Sequence, residues 1–263
     1  MTRSPLTSAL SEPTCRLPKG FTLHHVKCIG STNDEASRMA EVGAPSGTIV
    51  MADQQLKGRG RLGRHWASPV GNFYVSIILR PDCPMAASTG LSMLTGVALG
   101  EALVELGPDH LDLALKWPND ILIKGEKVAG ILLESAAGEG GRTAFVIIGT
   151  GVNVRSAPAN TPYPVTSLDD AEFQAISPTD LLAAYVQKLE IWLDRWKRGG
   201  FAVVREAWRD KAFRLGGSIR LRLEREEIDG VFVDLTEGGA LVIEEANGRK
   251  REVAAGDVVY QGL

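Results

Sequence analysis

The sequence is poor in cysteine and carries little net charge. Cys15, Cys28 and Cys83 lie far apart in a chain of 263 residues and form no Cys-x-x-Cys pair, so neither a disulfide framework nor a zinc site is expected. This cysteine usage fits a reducing compartment. The formal net charge is −3, which gives no reason to expect a general affinity for nucleic acid.

The sequence also lacks the features of a secreted or membrane-spanning protein. Residues 1–20 are polar and have no apolar core of the kind that a secretory signal needs. The most apolar run, 91–106, is interrupted by Thr95 and Glu101 and is too short to cross a bilayer. We therefore expect a cytoplasmic protein without membrane contact, in which residues 1–20 form a flexible tail.

The most unusual stretch of the chain is 58–66, which we call the glycine–arginine loop. It contains three glycines, three arginines and Trp66 within nine positions. Glycine lets a backbone approach a ligand closely, and the planar arginine fork matches phosphate and carboxylate oxygens. The composition predicts a loop that holds an anion.

One alternative is a dinucleotide-binding motif, since Gly58, Gly60 and Gly63 fit G-x-G-x-x-G. That motif requires a strand before it and a helix after it. A strand is predicted at 47–55, but the segment 72–80 reads as another strand. Too few residues separate this strand from Gly63 for a helical crossover, which needs about 10–12. The sequence therefore argues against a nicotinamide oxidoreductase.

The first two thirds of the chain predict a mixture of helices and strands. Thr32 and Glu35 form a capping box at the start of a helix over 33–42. Short turns in the region 111–148 predict an antiparallel meander. The other elements expected here are strands at 21–29, 111–116, 121–123, 127–134 and 144–148 and a helix at 88–106.

Two further helices and a small barrel are predicted after the meander. Ser177 and Pro178 start one helix and Gly199-Gly200 end it, before a second helix that reaches about residue 211. From residue 213, short strand-like runs alternate with hairpin turn pairs, which are Asp229-Gly230, Gly238-Gly239 and Asn247-Gly248. We therefore divide the chain into a first domain at 21–212 and a small β-barrel at 213–263.

Two lysines add positive charge outside the glycine–arginine loop. Lys116 precedes the turn Trp117-Pro118-Asn119-Asp120, and Lys127 precedes an apolar strand. A lysine is usually a solvated surface charge. Apolar walls around Lys127 would lower the local dielectric, so that its charge would act strongly on an oxyanion.

Five motifs together resemble those of biotin–protein ligases, and their order and spacing match over about residues 21–263. The glycine–arginine and Lys-Trp-Pro-Asn-Asp motifs are highly specific as a pair. The five are Gly-Ser-Thr-Asn at 30–33, Gly-Arg-Gly-Arg-Leu-Gly-Arg at 58–64, Lys-Trp-Pro-Asn-Asp at 116–120, Lys-Val-Ala-Gly-Ile-Leu at 127–132 and Gly-Thr-Gly-Val-Asn at 149–153.

The resemblance implies both a fold and a reaction. The fold is α/β (α+β): a catalytic domain related to class II aminoacyl-tRNA synthetases, with a mixed or antiparallel sheet, followed by an SH3-like β-barrel. The reaction uses ATP with magnesium to convert biotin into biotinyl-adenylate. A lysine of a biotin carboxyl-carrier domain then attacks this adenylate. A homodimer is compatible with the resemblance.

The resemblance also implies roles for particular residues. Arg61 and Lys127 are the expected catalytic residues, because they would hold carboxylate and phosphate oxygens through both steps. No metal ligand is identified. The residues expected to bind biotin are Ser31, Thr32, Asn33, Gln55, Arg59, Gly60, Arg61 and Lys127. Those expected to bind ATP or the adenylate are Arg59, Arg61, Arg64, Trp66, Lys116, Asn119 and Asn153.

The chain departs from the family pattern in one place. Lys57 stands immediately before Gly58, where a small residue is usual. Some family members also carry an N-terminal winged-helix domain that binds DNA, and such a domain needs at least about 50 residues. Only about twenty residues precede the first predicted strand here, so we expect a ligase of the monofunctional type that does not bind DNA.

Two alternative functions stay open from the sequence. One is a lipoate–protein ligase, which shares the fold and the adenylate chemistry. The other is a non-catalytic regulator that senses biotin. The glycine–arginine loop and the terminal barrel favour biotin over lipoate, and the presence of both Arg61 and Lys127 favours catalysis.

Overall fold

A seven-stranded sheet forms the larger part of the structure. The computed structural model describes residues 16–88 and 90–259. The strands of this sheet are β1 (Thr22–Ile29), β2 (Thr48–Gln55), β3 (Phe73–Leu79), β4 (Leu113–Lys116), β5 (Asp120–Ile123), β6 (Glu126–Ala137) and β7 (Thr143–Val152). The α-helices of the described residues are α1 (Thr32–Glu41), α2 (Met85–Ser88), α3 (Gly90–Leu106) and α4 (Pro178–Asp210).

The sheet is mixed, as the sequence predicted. Its spatial order is β1-β2-β3-β7-β6-β5-β4, and the meander from β4 to β7 is confirmed. β1 and β2 are parallel, whereas the other neighbours are antiparallel. Parallel neighbours need a crossover, which α1 provides. Because α1 begins directly after β1, its N-terminus lies at the carboxyl ends of β1 and β2, where Ile29 pairs with Gln55.

Helices cover both faces of the sheet. On one face, Ala36 and Ala40 of α1 pack against a small cluster that includes Val50 and Ile78. Successive strand residues point to opposite faces, and residues of the other parity, such as Ile77, belong to the main core with α3 and α4. β3 is buried along its whole length, which explains why its sequence is apolar except for Ser76.

The long helix α4 combines two predicted helices. The Oγ of Ser177 accepts a hydrogen bond from the backbone N–H of Asp180 at 3.1 Å, which confirms the predicted N-cap. The helical backbone is interrupted at Gly200, where φ is 65° and ψ is −161°. Glycine adopts this positive φ without steric cost, so the sequence located the break correctly.

The C-terminal part forms a second, antiparallel sheet, consistent with the predicted SH3-like barrel. It docks on the rest of the protein through Trp117, whose indole N–H donates to the carbonyl of Gly239 at 3.1 Å, and through an ion pair between Arg205 and Asp234. Its spatial order is β11-β10-β9-β8-β12. The strands are β8 (Ser218–Arg222), β9 (Glu227–Leu235), β10 (Leu241–Glu244), β11 (Lys250–Val253) and β12 (Asp257–Val259).

One predicted turn is wrong. Asp229 and Gly230 lie inside β9, and Gly230 pairs with Ile219. The turn comes earlier, where the N–H of Leu223 bonds to the carbonyl of Glu226 at 2.8 Å. Gly230 is required for another reason: a Cβ on it would lie 2.4 Å from the carbonyl oxygen of Glu244 in β10.

Three other expectations from the sequence have different outcomes in the structure. The predicted tail lies mostly outside the described residues, but Leu17 packs against the core. The proposed domain boundary between 212 and 213 falls in the connection from α4 to β8 and stays a prediction. The segment Met85–Leu106 is long and apolar enough to cross a membrane, yet an 18-residue window within it is 76% buried inside the protein, as in a core helix.

The burial of α3 yields a stability prediction. We expect Leu99→Ala to lower the free energy of unfolding by about 2–5 kcal/mol, because it removes a fully buried side chain and leaves a cavity. Urea denaturation followed by circular dichroism measures this change. Val104→Ala, at a position in the same helix that is 43% exposed, is the matched control and should change stability by less than about 0.5 kcal/mol. Equal losses in both variants would contradict this placement of α3.

Candidate active site

A cavity of about 330 Å³ lies between the glycine–arginine loop, the N-terminus of α1 and the C-terminal sheet. This volume lies within the range of about 300–1,000 Å³ that is usual for small-molecule sites. Residues from stretches far apart in the sequence meet here. The predicted site residues that line the cavity are Ser31, Thr32, Asn33, Gln55, Arg59, Gly60, Arg61, Arg64, Trp66, Lys116, Asn119 and Lys127.

One end of the cavity is built mainly from polar, uncharged side chains at the junction of β2 and α1. The N–H and the hydroxyl of Thr32 both donate to Gln55 Oε1, at 2.8 and 3.0 Å. Gln55 Nε2 donates to Ser68 Oγ at 3.1 Å. These contacts exist because the end of β2 lies beside the start of α1. They fix the side-chain amide of Gln55 in one orientation, so this end offers hydrogen-bonding groups in a set geometry.

Asn33 lies at the same end and is held from both sides. Its Nδ2 donates to Glu134 Oε2 at 2.6 Å, and its Oδ1 accepts from Ser76 Oγ at 2.6 Å. Ser76 also lies 2.8 Å from Thr32 Oγ1. No motif in the sequence had indicated Ser76, whose only signal was a hydroxyl in the middle of an apolar strand.

The other end of the cavity is built around two lysines and a shared carboxylate. Asp120 lies 2.6 Å from Lys127 Nζ and 3.3 Å from Lys116 Nζ. Burial lowers the pKa of Lys116, and Asp120 partly opposes this. Burial raises the pKa of Asp120, but the two ammonium groups outweigh burial and the net shift of that pKa is downward. Asp120 is therefore an anion that keeps two positive charges together in a poorly solvated place.

Aromatic rings surround the ammonium group of Lys127. Its Nζ lies 5.4 Å from the centre of the Trp66 ring and 5.5 Å from that of Tyr163. The predicted low-dielectric wall beside Lys127 is therefore present, although the sequence did not identify Tyr163 as part of it. The Trp66 ring rests on the backbone of β7, since a Cβ on Gly151 would lie 2.6 Å from that ring.

The glycine–arginine loop contacts the C-terminal sheet directly. Arg61 donates to Asn119 Oδ1 at 3.3 Å and to Asp257 Oδ1 at 3.2 Å. Arg64 pairs with the other oxygen of Asp257 at 2.6 Å. Burial lowers the pKa of Arg61, while Asp257 opposes that effect. The C-terminal sheet thus completes the cavity, and no feature of the sequence had indicated Asp257.

Arg59 lies at the rim of the cavity. Its guanidinium is 2.7 Å from Asp34 and 3.3 Å from Glu134. The hydrogen bond that Arg59 donates to Asp34 is the main reason that the pKa of Arg59 is raised. Lys57, where the chain departs from the family pattern, is exposed and does not line the cavity.

Asn153 is the one predicted site residue that the structure does not place at the cavity. It is buried, and its Nδ2 donates to the carbonyl of Thr166 at 3.1 Å. Its N–H donates to the carbonyl of Val128 at 2.9 Å. Asn153 therefore braces the segment next to Lys127, and the sequence motif could not distinguish this from ligand contact.

The described residues contain no group of three or more His, Cys, Asp or Glu side chains that could hold a metal ion. Both carboxylates at the cavity, Asp120 and Asp257, are already paired with cations. These residues do not form a magnesium site made by the protein alone.

Comparisons with known proteins agree with this geometry. The model of the biotin/lipoate A/B protein ligase family matches residues 25–153, and that of the biotin protein ligase C-terminal domain matches 215–260. A biotin–[acetyl-CoA-carboxylase] ligase from Paracoccus denitrificans is 38% identical over 88% of this chain and 98% of its own length. The bifunctional ligase/repressor BirA of Bacillus subtilis is 34% identical over 86% of this chain and 70% of its own.

Solved structures give the same result. The biotin protein ligase from Aquifex aeolicus in complex with biotin and ATP superimposes with a TM-score of 0.75 at 30% sequence identity, over 90% of this chain and 97% of that one. The fold, the cavity and the sequence relationship agree, and this chain belongs to the biotin–protein ligases and is a ligase enzyme.

Proposed function

We propose that this ligase activates biotin with ATP and transfers the biotinyl group to a lysine of a biotin carboxyl-carrier domain. The observation that carries the proposal is the division of one cavity into an end of hydrogen-bonding side chains around Thr32 and Gln55 and an end that holds Lys116 and Lys127. Biotin has the matching form, since its ureido ring is an uncharged hydrogen-bonding group and its carboxylate is an anion. Relatives supply further support, because structures are known with biotin and ATP and with biotinyl-5-AMP bound.

The first step brings two anions together. A carboxylate oxygen of biotin attacks the α-phosphorus of ATP, the bond to the β-phosphate oxygen breaks, and pyrophosphate leaves. No protein nucleophile is needed, so the protein contributes positioning and electrostatic stabilisation. Arg61 and Lys127 provide positive charge where the carboxylate and the phosphate meet. Arg59 and Arg64 extend it toward the phosphates.

The second step transfers the acyl group. The amine of the carrier lysine attacks the acyl carbon of biotinyl-adenylate, the bond from carbon to the phosphate oxygen breaks, and AMP leaves as the amine loses a proton. The cations stabilise negative charge on the departing phosphate. Trp66 and Tyr163 shield this end from water, which favours aminolysis over hydrolysis of the reactive anhydride.

Magnesium enters this proposal with the nucleotide. Mg²⁺ commonly binds substrate phosphates together with only one or two carboxylates. Asp120 and Asp257 are both paired with cations, so no magnesium ligand is assigned among them.

The direct test is a labelling reaction. The protein is mixed with ATP, magnesium, a biotin carboxyl-carrier domain and either biotin or lipoate, and the intact mass of the carrier is measured. We expect the mass of one biotinyl group on one lysine and no lipoyl transfer. Lipoyl transfer would indicate a lipoate–protein ligase instead. An unmodified carrier in both reactions would refute the proposal.

The cationic end yields a kinetic prediction. We expect Arg61→Ala or Lys127→Ala to slow single-turnover formation of biotinyl-adenylate by about 100-fold or more, since each removes charge that stabilises the transition state. Rapid quench with labelled ATP measures the rate. Lys57→Ala is the matched control, because it removes an exposed cation next to the same loop. A rate in Arg61→Ala like that of wild type would contradict the assigned role.

The shared carboxylate yields a stability prediction. We expect Asp120→Asn to lower the free energy of unfolding at pH 7 by about 3–5 kcal/mol, because two ammonium groups lose their buried partner. Asp82→Asn is the control; Asp82 is also paired, with Arg142, but its side chain is 92% exposed. That substitution should cost less than about 1 kcal/mol.

The contribution of Asp120 to the free energy of unfolding should depend on pH. The pKa of Asp120 is lower in the folded protein than its ordinary value, so its contribution to stability is complete above about pH 4. The contribution is lost as the pH falls through the lower, folded-state pKa. Urea denaturation from pH 7 to pH 3 measures the difference between wild type and Asp120→Asn, which should shrink in acid. A difference that grows in acid would contradict this assignment.

A further inference from the structure

Ser76 is a buried hydroxyl behind the polar end of the cavity. It lies in the middle of β3 and is 0% exposed. A hydroxyl in such a place costs free energy unless it forms hydrogen bonds. Within the described residues its side chain bonds to Thr32 and Asn33, and both of these line the cavity. Its hydrogen bonds thus connect the core of the sheet to the ligand site.

Thr32 and Asn33 both donate hydrogen bonds to other residues, so each presents an oxygen to Ser76 as an acceptor. The hydroxyl of Thr32 donates its proton to Gln55 Oε1, which leaves the lone pairs of Thr32 Oγ1 for other donors. Asn33 Nδ2 donates to Glu134, which directs Asn33 Oδ1 toward Ser76. A Cβ on Gly149 would lie 2.2 Å from Asn33 Oδ1, so glycine at that position leaves room for the amide.

A serine hydroxyl has one proton, and it can be donated to one oxygen at a time. Ser76 Oγ lies 2.8 Å from Thr32 Oγ1 and 2.6 Å from Asn33 Oδ1. A hydroxyl oxygen and an amide oxygen each have two lone pairs, so both Thr32 Oγ1 and Asn33 Oδ1 keep acceptor capacity for a donor on the ligand. The pair of oxygens is therefore suited to a ligand that brings an N–H group.

We propose that Ser76 is a positioning residue that orients Thr32 and Asn33 to accept an N–H of a cyclic urea, and that it thereby helps to select biotin. This inference rests on the proposed function. A dithiolane ring, as in lipoate, has no N–H and would leave a buried acceptor unpaired. Sites built for a hydrogen-bonding ligand reject analogues that lack the matching group far more strongly than apolar pockets do.

Steady-state kinetics of Ser76→Ala test the proposal. We expect the KM for biotin to rise about tenfold, the effect of losing one well-placed hydrogen bond, whereas the KM for ATP and the kcat at saturating biotin should stay within about threefold. Calorimetry with biotin alone should show a similar rise in Kd. Ser76→Thr keeps the hydroxyl and should restore biotin affinity.

Ser88→Ala is the matched control. Ser88 is equally buried, but its hydroxyl donates to the carbonyl of Met85 at 2.7 Å, away from the cavity. Its KM for biotin should equal that of wild type. Thermal unfolding of each variant separates a loss of stability from a loss of affinity. If Ser76→Thr does not fold, Ser76→Ala still tests the proposal, because the change in its KM for biotin can be compared with the change in its KM for ATP.

Three results would overturn the role of Ser76 while leaving the proposed function intact. These are an unchanged KM for biotin in Ser76→Ala, an equal rise in the KM for ATP, or the same rise in Ser88→Ala. Failure of wild-type protein to bind biotin would instead refute the proposed function, and the role of Ser76 with it.

Discussion

The site depends on holding several positive charges close together where little water can screen them. Two ammonium groups that share a low-dielectric space repel each other strongly, and burial alone already lowers the pKa of Lys116. Asp120 makes the arrangement stable, because its carboxylate contacts both lysines. Asp257 does the same for Arg61 and Arg64. The cationic side chains thus stay close together without a large net positive charge in the cavity.

The cavity is asymmetric because different parts of the fold build its two ends. The crossover from β1 to β2 places the N-terminus of α1 beside Gln55, and this junction supplies polar groups. The meander supplies Lys116 and Lys127 from strand ends that are adjacent in space. Under the proposed function, a ligand with an uncharged ring and an anionic tail binds with its ring at the polar end and its carboxylate at the cations, so that specificity and reactivity follow from the same geometry.

The small C-terminal sheet contributes more than stability. Its last described strand carries Asp257 to the glycine–arginine loop, while the indole of Trp117 and the ion pair of Arg205 anchor other parts of it. Such a small sheet has little core of its own, and docking gives it additional buried contacts. The same contacts make the position of Arg61 depend on the C-terminal sheet. Any displacement of that sheet would change the electrostatics of the cavity.

Local signals in the sequence determined much of this protein. The N-cap of α4, the strands of the meander and the break at Gly200 depend on residues close together in the chain. The predicted capping box of α1 is wrong, because Ser31 and not Thr32 is its N-cap, and the hydroxyl of Thr32 donates to Gln55 instead. Tertiary structure decided the rest. Gly230 allows β10 to pack closely against β9. Asn153 hydrogen-bonds to a neighbouring segment. The site also includes Ser76, Tyr163 and Asp257, which come from elements far apart in the sequence. These contacts depend on which strands become neighbours, and the burial of the whole core selects that arrangement.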